Sequence, residues 1–75
     1  MTTQEYQQRS EAIKVLIIEL LFKQNKSYIT EVTIKYQVPC YNVNIKRVVY
    51  DINKEGIYSL ISYKVNSYGV LVLFV

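Results

Sequence analysis

One short stretch, Asn42 to Gly56, which reads NVNIKRVVYDINKEG, gathers cations, amides and a phenol that could do chemistry together. Lys46, Arg47 and Lys54 supply cations, Asn42 and Asn44 supply amides, and Tyr50 supplies a phenol. An arginine fork donates to planar acceptors or oxyanions two bonds at a time, and an amide donates and accepts at once. That is the chemistry of recognition. At about 100° per residue, Ile45, Val48, Val49 and Ile52 fall at i, i+3, i+4 and i+7 and make one apolar stripe. Val43, Arg47, Tyr50 and Lys54 centre the opposite face, with Asn44, Lys46 and Asp51 on its flanks. The stripe seeks a core, and the other face is either solvated surface or a surface that reads something.

Catalysis is the class that the composition disfavours most. The 75 residues include no histidine, so neither a Ser/His nor a Cys/His pair can be assembled. Two glycines give no glycine-rich phosphate loop, and the six carboxylates (Glu5, Glu11, Glu19, Glu31, Asp51 and Glu55) are scattered as helix-surface charges are. Cys40 is the sole cysteine, which excludes an internal disulfide and, without histidine, a Cys/His metal site. No cofactor is expected. The start, MTTQEYQQRSEA, lacks the basic and apolar pattern of a secretory signal, and the apolar run Val15 to Ile18 is too short to span a bilayer. The chain therefore reads as a cytoplasmic protein with no membrane partner. A hydrophobic fraction of 51% suffices for a core, and the net charge of +3 leans toward an anionic partner.

One small α+β domain, mainly α, accommodates these residues. The pattern predicts helix one over about residues 3–24, with Thr2 and Glu5 at capping-box spacing and Ile13, Ile17, Leu20 and Leu21 as its core stripe. Val15, Leu16, Ile18 and Phe22 are apolar beyond that stripe, and in so short a chain they predict either a central core helix or a homodimer through helix one, with Val15, Ile18 and Phe22 at its interface. QNKS breaks the helix, Tyr28 and Ile29 are extended, and Thr30 caps a helix two over about 30–36 that ends at Val38-Pro39. Val32 and Ile34 are its apolar contacts. Helix three spans about 42–55, from an Asn42 N-cap to Gly56 as the C′ residue. Beyond it, IYSLISYKV and VLVLFV flank NSYG and predict a two-stranded hairpin, Ile57–Val65 with Val70–Val75, within 57–75.

Residues 30–57, TEVTIKYQVPCYNVNIKRVVYDINKEGI, resemble the second and third helices of winged helix-turn-helix proteins, and the hairpin stands where those proteins carry the wing. The likeness runs from about Ile13 to Val75. Size and the Tyr/Ile/Asn/Lys-rich composition are similar to those of small regulators from archaeal viruses, plasmids or other mobile elements, for which the location would be the host cytoplasm. The resemblance implies a DNA-binding protein, double-stranded DNA favoured, with helix three in the major groove and the wing on the backbone. Arg47 would pair with guanine and Asn44 with adenine, Lys46 and Lys54 would meet phosphates, Tyr50 a phosphate or a thymine methyl, and Val43 a base methyl. Asn42 would join them, with Lys64, Asn66, Ser67 and Tyr68 at or near the wing tip. Pro39 and Tyr41 in the turn, and a wing poor in arginine, depart from the family pattern.

Two alternatives stay open. A replication or recombination accessory protein would lay single strands or DNA ends on the hairpin tyrosines Tyr58, Tyr63 and Tyr68. A protein-interaction module would bind no nucleic acid and present helix one instead. The target sequence and the direction of regulation are not readable from the chain.

Overall fold

In a computed structural model, residues 3–38 and 43–75 are described, and they form three helices and a three-stranded antiparallel sheet. Among them no helix is long and apolar enough to cross a membrane. Helix α1 (Thr3–Ile18) runs into a final π-helical turn, Glu19–Lys23, closed by the Gln24 N–H donating to the Glu19 carbonyl at 2.8 Å. Asn25 then takes the left-handed conformation (φ 54) that ends the helix. The capping role read for Thr2, the proline stop at Pro39, and Cys40, Tyr41 and Asn42 lie outside the described residues.

Strand β1 (Tyr28–Thr30) leads into α2 (Glu31–Gln37), whose first turn is held by the Thr33 N–H donating to Thr30 Oγ1 at 3.4 Å. Ile34 is buried in the core, whereas Val32, expected to pack there, is exposed. Helix α3 (Ile45–Glu55), β2 (Ser62–Val65) and β3 (Leu71–Phe74) complete the chain. The hairpin forms around Asn66–Gly69, with Val65 paired to Leu71 and Ser62 to Phe74. It differs from the expected wing in two ways. Its first strand begins at Ser62 rather than Ile57, and β1 pairs with β3 (Tyr28 with Phe74, Thr30 with Val72), so a third strand joins the two.

The core lies between the helices and one face of this sheet. Ile13 and Ile17 from α1, Leu20 and Leu21 from its π-helical turn, Ile34 from α2, the α3 stripe, and Ile29 and Leu73 from the sheet form one buried cluster. Burying each such aliphatic side chain contributes about 1.5–3 kcal/mol. Residues 57–61, rich in β-branched and aromatic types, do not extend β2. Tyr58 stacks on Phe22 with ring centroids 4.6 Å apart, and both pack against the core. That contact covers part of the apolar surface for which a second chain was an expected partner.

Candidate functional site

Helix α3 begins two residues later than expected. Asn44 is its N-cap, with Oδ1 accepting from the Arg47 N–H at 3.3 Å. Val43 then falls at N′ and Val48 at N4, the positions of a hydrophobic staple, and both are buried. Two expectations change accordingly. Val43, only 8% exposed, belongs to the core and is not a base contact. The Asn44 side-chain oxygen accepts the cap bond, so an adenine contact would share that oxygen with the Arg47 N–H. At the other end Gly56 adopts φ 71, as a C-cap in the left-handed region requires.

Four exposed side chains follow along one ridge: Lys46, Arg47, Tyr50 and Lys54. Arg47 is held in place by two neighbours of its own helix. Its Nε lies 3.5 Å from Asp51 Oδ1, and its guanidinium carbon lies 5.2 Å from the centre of the Tyr50 ring. Of the two acids in this helix, Asp51 offsets the ridge, but Glu55 is turned toward α1, where Lys14 Nζ donates to Glu55 Oε1. This bond raises the Lys14 pKa above its ordinary value. Among the described residues neither Lys46 nor Lys54 is in an ion pair, so their charge faces solvent.

The sheet extends the ridge sideways. Tyr63 pairs with Leu73 and Val65 with Leu71, so these two β2 side chains share the helix-facing side of the sheet. The Lys46 ammonium stands 5.5 Å from the centre of the Tyr63 ring, which joins the first turn of α3 to β2. Tyr63 was read as a stacking residue but not as a neighbour of helix three. Strand alternation carries that information only once the register is known.

The expected wing residues separate. Asn66 is spent on the turn, its Oδ1 accepting from the N–H groups of Tyr68 at 2.9 Å and Val70 at 3.0 Å. Ser67 and Tyr68 are exposed at the tip, Tyr68 at 88%. Lys64, opposite Val72, lies on the far side of the sheet from α3, with Nζ 5.7 Å from the Phe74 ring centre. Asn42 lies outside the described residues. The structure thus brings together Lys46, Arg47, Tyr50, Lys54 and Tyr63, and it does not bring Lys64 to them.

A carboxylate that drew no functional reading fixes the sheet to α2. Glu31 Oε1 accepts from the Leu71 N–H at 3.0 Å while Oε2 lies 3.2 Å from Lys35 Nζ. The Leu71 N–H, and then Lys35, hold the Glu31 carboxyl below its ordinary pKa. Against known proteins, the chain matches no family model, no curated protein and no solved structure.

Proposed function

We propose that this chain is a sequence-specific double-stranded DNA-binding protein of the winged helix-turn-helix kind, a small cytoplasmic transcriptional regulator without catalytic activity. The observation that carries the reading is the α3 ridge, an exposed line of Lys46, Arg47, Tyr50 and Lys54 with only Asp51 to offset it. A major groove about 12 Å wide admits one helix, and a helix entering it needs cations for phosphates and a fork for a base edge. Arg47 has the fork; Lys46 and Lys54 have unpaired charge. The segment from Gly56 onward contains no acid, so a hairpin brought against the backbone would meet no repulsion of its own making.

Self-association through α1 belongs to the same reading. Val15, Ile18 and Phe22 fall at i, i+3 and i+7, and Val15 is 57% exposed. Two copies would place two ridges on half-sites about one helical turn apart. The test is binding of the purified chain to random-sequence and selected duplexes over a range of salt. The reading requires duplex binding that weakens steeply with salt and falls about tenfold or more in Arg47→Ala. Absence of duplex binding at low salt would sink it.

A further inference from the structure

The sheet has a second face, turned away from the helices. Register and alternation place Tyr28, Phe74 and Ser62 in one row across it, and Thr30, Val72 and Lys64 in the next. Tyr28 is 61% exposed, although it sits beside Phe74 on the neighbouring strand. The single stacked ring pair among the described residues is Phe22 with Tyr58, so the Tyr28 face is open. Ser27, Tyr28, Lys64, Val72 and Phe74 enclose a shallow concavity of about 420 Å³, within the range of small-ligand sites. Val72 is buried, and no acid lines the concavity.

We propose that this outer face is a nucleic-acid site in its own right, taking an unpaired base on the Tyr28 ring and the adjoining phosphate on Lys64. Three features select this occupant. An exposed ring flat enough to stack accepts any base, because every base has a π-face. The Lys64 ammonium, drawn over Phe74 rather than onto a carboxylate, has charge to give to a phosphate. A second copy of the chain is the poorer partner, because a like-for-like contact of this face would bring two lysines and no carboxylate into one interface. The site stands apart from the duplex reading, since the sheet separates it from the α3 ridge.

The test uses a fluorescein-labelled oligothymidylate of about eight nucleotides and the full chain, read by anisotropy across salt. The wild type binds it at low salt. Tyr28→Ala weakens binding about tenfold or more, and Tyr28→Phe, which keeps the ring, restores it. Lys64→Gln weakens binding and flattens the salt dependence, whereas Arg47→Ala leaves oligothymidylate binding unchanged whatever it does to duplex. If Tyr28→Ala lowers the folded fraction by circular dichroism, the Lys64→Gln result decides. No binding at low salt overturns the proposal. So does binding indifferent to both Tyr28→Ala and Lys64→Gln, or self-association of the wild type that Tyr28→Ala abolishes.

Discussion

The side-chain amide of Asn53 and the backbone of Ile61 exchange two hydrogen bonds, Nδ2 donating to the carbonyl oxygen at 3.0 Å and the Ile61 N–H donating to Oδ1 at 2.8 Å. Asn53 thereby does for residue 61 what a neighbouring strand would do, and it ties the chain leaving α3 back to α3. Asn53→Ala leaves a partly buried donor and acceptor without partners and is expected to cost about 2 kcal/mol. Asn53→Asp keeps the acceptor but sets a carboxylate against the Ile61 carbonyl, so it recovers at most half. Urea unfolding midpoints measure both, and an unchanged midpoint for Asn53→Ala would refute the role.

Gly56 tests a different term. Its φ of 71 lies where a Cβ strains the backbone, yet a Cβ built there meets nothing within 4 Å. The cost of Gly56→Ala is therefore conformational and not a clash, about 1 kcal/mol. Gly56→Asn, a residue that tolerates this region, should cost less than alanine. If the two variants are equally destabilised, backbone strain is not the cause.

These two positions also mark what the sequence discloses. Gly56, the Thr30 cap, the NSYG turn and the α3 stripe were readable because each is local, with residue type and offset naming the geometry. The start of α3 was not, since Asn42 and Asn44 are equally good caps; the burial of Val43 and Val48 on either side of Asn44 goes with the later start. Nor was the break before β2. Ile57–Ile61 has strand composition, but Tyr58 packs on Phe22 and Asn53 holds Ile61, and both contacts are tertiary. The site shows the same division. Lys46, Arg47, Tyr50 and Lys54 follow from helical period, whereas the placement of Lys64 on the opposite side of the sheet follows from register.

Glu31 makes stability depend on pH. Its carboxyl is held below the ordinary range by the Leu71 N–H and Lys35, so the folded state favours the ionised form. The stabilisation is present in full above the unfolded value, about pH 4.3, and is lost as pH falls through the lower folded value. Glu31→Gln should remove about 1 kcal/mol at neutral pH and remove little once the carboxyl is protonated. Thermal melts of both chains from neutral pH to acid check this, with curves that stay parallel counting against it.

Self-association through α1 can be separated from folding at one position. Val15 is exposed, so Val15→Glu should leave the monomer's stability within about 0.5 kcal/mol. Ile18 and Phe22 pack against the core, and polar changes there confound the two effects. Sedimentation equilibrium is expected to give a dimer for the wild type and a monomer for Val15→Glu. A wild type that stays monomeric at high concentration removes α1 as an interface.

If α3 enters a major groove as proposed, Asp51 competes with the DNA for Arg47. The Arg47 Nε–Asp51 Oδ1 contact of 3.5 Å joins two exposed groups and is worth at most about 1 kcal/mol, so a phosphate or guanine edge can displace it at small cost. Asp51→Asn should then raise duplex affinity about two- to fivefold, by releasing the fork and by removing a negative charge from the ridge. The double variant with Arg47→Ala divides these contributions, because only the charge effect survives without the arginine. Lys54→Ala acts differently, lowering the slope of log affinity against log salt by about one with little change in base preference. Binding isotherms over salt for the wild type, Asp51→Asn, Arg47→Ala, their double variant and Lys54→Ala decide the matter. An Asp51→Asn gain of the same size with and without Arg47 would mean that the carboxylate repels DNA directly and does not restrain the fork.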